Sequence, residues 1–64
     1  MNKEYLMAVL SAYSTQYIVS LLFGRLTNAG YRKVQRWKRG IYFPSSEDQI
    51  LIEKFIQNEK QKQN

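Results

Sequence analysis

The stretch Thr27-Asn28-Ala29-Gly30-Tyr31-Arg32-Lys33-Val34-Gln35-Arg36-Trp37-Lys38-Arg39-Gly40 decides how the rest of the chain is read. It carries five of the ten basic residues and no acidic one. On an ideal helix, Gly30, Tyr31, Val34 and Trp37 gather on one side, and Arg32, Gln35, Arg36 and Arg39 on the opposite side. The spacing therefore predicts an amphipathic helix with one face to pack and one to meet phosphates and base edges. Thr27 or Asn28 suits its N-cap, where a side-chain oxygen accepts from an orphan backbone N–H, and Gly40 stands where a left-handed residue ends a helix. Lys38 and Arg39 in the last turn complement the negative end of the helix dipole, worth about 0.3–1 kcal/mol.

The charge surrounding this segment is just as one-sided. Acids occur only at Glu4, Glu47, Asp48, Glu53 and Glu59, so Tyr5 to Ser46 holds six positive charges and no negative one. That clustering is the footprint of a nucleic-acid or anionic-membrane binder. A solvated basic surface is the competing reading, but charges confined to the face opposite a packing stripe favour binding. With neither cysteine nor histidine in its 64 residues, the chain lacks disulfide staples, the best zinc ligands and the commonest nucleophiles and bases. We therefore expect no enzyme, no catalytic residues, no metal, no cofactor and no small-molecule ligand. No run reaches the ~20 apolar residues of a membrane span, and no signal-peptide pattern opens the chain. The expectation is a soluble protein without a membrane partner.

Outward from the basic segment, Leu6, Val9, Leu10 and Tyr13 recur at helical spacing, flanked by Tyr5 and Met7, and predict a first helix capped near Asn2. Ser14 and Thr15 are N-cap candidates for a second, carrying Ile18, Val19, Leu21, Leu22 and Phe23 and ending at Gly24. A strand competes locally because Tyr17, Ile18 and Val19 favour extended backbone. A three- or four-residue connection leads into the basic helix, and the pair forms a helix-turn-helix. After Gly40, Pro44 biases Phe43 away from helix, and Tyr42 and Phe43 are expected to cover the core against Trp37; an exposed aromatic patch is the alternative. Ser46 and Gln49 have capping-box spacing ahead of a last helix whose inward stripe is Leu51, Ile52, Phe55 and Ile56. The fold class expected is all-α, a compact bundle of four helices. Residues 1–57 form the helix-turn-helix domain, and 58–64, which lack any apolar residue, form a disordered, frayed polar tail.

The run Trp37-Lys38-Arg39-Gly40-Ile41-Tyr42-Phe43-Pro44-Ser45 resembles the end of the helix-turn-helix in Cro/repressor-type (Xre-like) proteins, and Thr15-Gln16 through Leu22-Phe23-Gly24 is similar to that family's second helix. Together the two stretches extend the resemblance over roughly Thr15 to Phe55. Thirteen positions separate Gly24 from Trp37, roughly one helical turn more than the family usually has. The surplus lengthens either the third helix, nearly in phase, or the turn through Asn28-Ala29-Gly30. The resemblance implies operator-like binding of double-stranded DNA by a phage or mobile-element regulator in a bacterial cytoplasm or nucleoid. It places base reading on Asn28, Tyr31, Arg32, Lys33, Gln35 and Arg36, and a phosphate contact on Gln16. Thr15, Arg25, Lys38 and Arg39 join Gln16 as phosphate contacts that set register.

The leading expectation is a sequence-specific transcriptional regulator, a repressor acting by occupation of its site. A second is an architectural or recombination-directing, excisionase-like factor. A third, from another class, is a protein-interaction adaptor or membrane-surface peptide using the basic amphipathic helix and Trp37. A head of this size meets about one half-site; the oligomeric state stays open, with a homodimer on a palindromic site as one reading and Tyr42, Phe43 and Phe55 as candidate interface residues second to a core role.

Overall fold

The computed structural model describes residues 1–62 and contains α1 (Lys3–Ser11), α2 (Thr15–Phe23), α3 (Asn28–Arg39) and α4 (Ser46–Lys62), with no strand among the described residues. Each helix begins where a short polar side chain replaces a missing backbone partner. The Glu4 and Tyr5 N–H groups donate to Asn2 Oδ1 at 2.7 and 3.1 Å. The Tyr17 N–H donates to Ser14 Oγ, and the Gly30 N–H to Thr27 Oγ1, both at 3.1 Å. At α4 the cap is Ser45, whose Oγ accepts from the Asp48 N–H at 3.3 Å. The expected Ser46–Gln49 box is thus displaced by one residue, and the Gln49 side-chain amide donates to the Pro44 carbonyl instead, at 3.1 Å.

The ends of α2 and α3 are set by glycine. Gly24 and Gly40 adopt φ of 76° and 75°, a left-handed conformation that costs a residue with a Cβ. At Gly40 the Gly40 N–H donates to the Trp37 carbonyl at 3.0 Å and the Ile41 N–H to the Arg36 carbonyl at 3.2 Å, the paired bonds of a Schellman motif. The surplus residues between Gly24 and Trp37 lie in α3, because the α2–α3 connection is only Gly24 to Thr27 and Asn28, Ala29 and Gly30 are helical.

Every helix contributes to one core. Leu6 and Leu10 come from α1, Ile18, Val19 and Leu22 from α2, Val34 and Trp37 from α3, Ile52 and Phe55 from α4. Burial of each such side chain stabilises the fold by roughly 1.5–3 kcal/mol. α1 and α2 meet at 108°, α3 packs against both, and α4 packs on α2. α2 approaches α3 tightly at Gly30. A Cβ there would stand 3.0 Å from Phe23 Cδ2, 3.1 Å from Thr27 Oγ1 and 3.2 Å from Val19 Cγ1, so glycine is what lets the two helices seat. Among the described residues no single helix is long and apolar enough to cross a membrane.

Three details depart from the sequence reading. First, α4 extends past residue 57 as far as Lys62, and the rest of the expected tail, 63–64, lies outside the described residues. The extension has a tertiary cause: the Tyr17 hydroxyl donates to Glu59 Oε1 at 2.6 Å, and Lys62 Nζ lies 3.7 Å from the same oxygen. Second, Tyr42 and Phe43 do not close over the core; they are 59% and 46% exposed, and the buried residue of that loop is Pro44. Trp37, only 3% exposed, is already covered. Phe55 is core and not surface, with Tyr13 and Tyr17 edge-on to it at 5.1 and 6.1 Å between centroids. Third, Tyr31 leaves the packing face and is 42% exposed. It sits about a quarter-turn from the centre of the Gly30–Val34–Trp37 stripe, and α2, drawn in at Gly30, leaves its ring the rim.

Candidate nucleic-acid interface

The basic helix presents a polar stripe built from positions i, i+4, i+7 and i+11. Asn28, Arg32 and Arg39 are exposed and Gln35 is half-buried; at helical rise the stripe spans roughly 16 Å. Arg36 lies on its shoulder, also exposed. Among the described residues no carboxylate lies within ion-pair distance of Arg32, Arg36 or Arg39. Their charge is therefore available to an external anion. The opposite side of the same helix is the Gly30, Val34 and Trp37 anchor, so the stripe faces away from the core.

The remaining two cations of α3 are engaged inside the molecule. Lys33 Nζ lies 3.3 Å from Asp48 Oδ2 and 5.8 Å from the centre of the Phe23 ring. Lys38 Nζ donates to the Tyr13 carbonyl at 2.7 Å. Lys33 was expected at bases and Lys38 at phosphate, yet the structure places both on the flanks of α3, one tied to the start of α4 and the other to the α1–α2 junction. The buried Gly30, Val34 and Trp37 face seats α3, and the two lysines lie on either side of the outer stripe.

Other expected contacts bracket the two ends of α3. Thr15, half-buried, and exposed Gln16 form the first turn of α2. They follow Tyr13, whose carbonyl holds Lys38, so the start of α2 sits beside the final turns of α3. The first backbone N–H groups of α2 carry the positive end of its dipole there. Arg25 is exposed in the connection leading into the first turn of α3.

Two residues were missed by the sequence reading. Lys3 Cε lies 3.9 Å from where a Cβ on Gly40 would stand, bringing another cation to the C-terminal end of α3. No local pattern signals this, because the contact crosses most of the chain. Tyr42 lies beneath Arg36, whose guanidinium carbon is 5.4 Å from the ring centroid. Here a signal existed: a Schellman turn at Gly40 reverses the chain, so an aromatic residue just beyond it falls against the last turns of the helix. The ring limits the rotamers of an otherwise solvated arginine. Between α3 and this loop runs an open groove of about 460 Å³, bordered by Arg32, Lys33, Arg36, Tyr42, Phe43 and Asp48. What the surface offers chemically is bidentate guanidinium and amide donors on a rigid rod, with further cations and free N–H groups at its ends. The chain matches no family model, no curated protein and no solved structure.

Proposed function

We propose that the chain is a sequence-specific, double-stranded DNA-binding regulator that lays α3 in the major groove, of the kind that phage and mobile elements use in the bacterial cytoplasm. The observation that carries this reading is the stripe of exposed Asn28, Arg32 and Arg39 with half-buried Gln35, its arginines without carboxylate partners among the described residues, on a helix locked by its other face. A helix fits the major groove, where arginine pairs bidentately with guanine O6 and N7 and asparagine or glutamine with adenine N6 and N7. Arg32 and Arg36 are assigned to guanine, and Asn28 and Gln35 to adenine. Arg39, Arg25, Gln16 and Thr15 take phosphates, and Lys3 joins them. Tyr31, at the rim of the stripe, meets the edge of the site. Regulation then follows from occupation of the site.

The test is selection of bound duplexes from a random pool, followed by titration of the best duplex and a scrambled one at two salt concentrations. The expected result is a recovered motif of a few base pairs rich in G and A steps, bound more tightly than the scrambled duplex, with an affinity that falls steeply with salt. Recovery of no motif, together with salt-independent binding, would reject the assignment.

A further inference from the structure

α1 packs chiefly on α3 and α4 chiefly on α2, which leaves the seam between α1 and α4 loosely packed. Two adjoining concavities run along it and share Tyr5, Ile56 and Lys60. The larger part of one is walled by Tyr5, Ala8, Val9, Ala12 and Ile56; Tyr5, Ala8 and Ala12 are exposed, and Val9 and Ile56 half-buried. On either side of Ile56 along α4 stand Glu53 and Lys60, exposed and opposite in charge, with no ion-pair partner among the described residues. They are seven positions apart, about 10 Å along the axis, too far to pair with one another. When a helix with this arrangement meets its own copy antiparallel, each glutamate faces the other copy's lysine and the apolar residue between them falls on the two-fold axis. Such self-complementarity is what an isologous contact requires.

We propose that the α1–α4 seam is the surface through which two copies of this chain associate. Ile56 meets its equivalent, Glu53 pairs with the partner's Lys60 and the reverse, and the small Ala8 and Ala12 let the second copy approach closely. Charge decides against the exposed apolar patch Ile41 to Phe43. It borders α3 with Arg36 over Tyr42, so pairing there would press two basic helices together in a molecule of net charge +5. Pairing at the seam leaves both basic stripes open. A standard contact takes about 800 Å² per partner, roughly a sixth of the 4626 Å² the chain exposes.

The inference is independent of the DNA reading, and its experiment contains no DNA. Sedimentation equilibrium over about two decades of concentration, reaching roughly 500 µM, is expected to give a reversible monomer–dimer equilibrium. Glu53→Lys and Lys60→Glu each place like charges together twice per dimer and should weaken association by about tenfold or more; the double reversal should restore it to near the wild-type value. Ala8→Arg, at an exposed position that the fold does not need, should leave only monomer, with helicity by circular dichroism unchanged. A wild-type monomer at every concentration would overturn the proposal. So would single reversals without effect, or a double reversal that fails to restore association.

Discussion

The two faces of α3 share one backbone and yet are held to opposite demands. Along Gly30, Val34 and Trp37 every position is buried and any change of volume must be absorbed by α1 and α2; along Asn28, Arg32 and Arg39 the side chains stand in solvent and touch little. Substitution on the first face should act on stability; on the second, under the proposed DNA reading, it should leave the fold alone and act on binding. The lysines fall in between, because each has a partner within the molecule: Asp48 for Lys33 and the Tyr13 carbonyl for Lys38. A cation's presence on a basic helix is therefore not enough to make it a ligand contact; its partners inside the molecule decide.

The sharpest way to break this contrast is Trp37→Ala, which empties the centre of the buried face. Truncation of such a residue costs about 3–5 kcal/mol. A chain of this length has roughly 3–10 kcal/mol to lose, so urea denaturation should find it largely unfolded or close to it. Arg32→Ala, on the other face, should shift the urea midpoint by no more than about 0.5 kcal/mol in stability. On the selected duplex it should cost about 1–3 kcal/mol and relax preference at one base pair. If both substitutions acted mainly on stability, the division of labour between the faces would be lost.

The lysines sharpen the comparison further. Arg39→Ala should shallow the slope of log affinity against log salt by about 1, the signature of one lost phosphate contact. Lys38→Ala should leave that slope nearly unchanged and lower stability by about 1 kcal/mol, because the donor to the buried end of the Tyr13 carbonyl is gone. The reverse pattern, measured by fluorescence anisotropy and urea titration on the same pair, would return Lys38 to the ligand face.

How much of this was legible in the sequence follows from how far each interaction reaches. The Asn2, Ser14 and Thr27 caps and the Gly24 and Gly40 stops involve bonds within a few residues, and the helices began and ended where those residues stand. The inward faces of α1, α2 and α4 followed from periodicity alone. By contrast, Lys33 with Asp48, Lys38 with Tyr13 and Tyr17 with Glu59 join positions 15, 25 and 42 residues apart. A helical wheel places a side chain on a face but is blind to what the next helix brings against it. That is why the ties of Lys33 and Lys38, and the hold of Tyr17 on the far end of α4, are not legible from a helical wheel. The exposed Tyr42 and Phe43 have the same origin, since their hydrophobicity argues for burial while the buried members of this region are Trp37 and Pro44.

The smallest expected effect concerns the polar tie at the far side of the bundle. The hydrogen bond to Glu59, and secondarily burial, raise the Tyr17 phenol above its ordinary value, and the hydrogen bond to Tyr17 likewise raises Lys62. Both groups hold their protons more tightly in the folded chain. Their contribution is thus fully present below the unfolded values, near about 10 for each, and is lost as pH rises through the higher folded ones. Thermal unfolding should show a modest alkaline decline in midpoint that Tyr17→Phe blunts, while the same substitution leaves DNA affinity at neutral pH unaltered.

The most direct test of the outer face of α3 as the reading surface is amide chemical-shift mapping by NMR as the selected duplex is added. The account predicts that the perturbed amides cluster in α3 from Asn28 to Arg39, in the first turn of α2 and around Arg25, with the α1–α4 seam quiet apart from any change in self-association. Perturbations centred on the seam or on the α2–α4 side, with α3 unmoved, would contradict it.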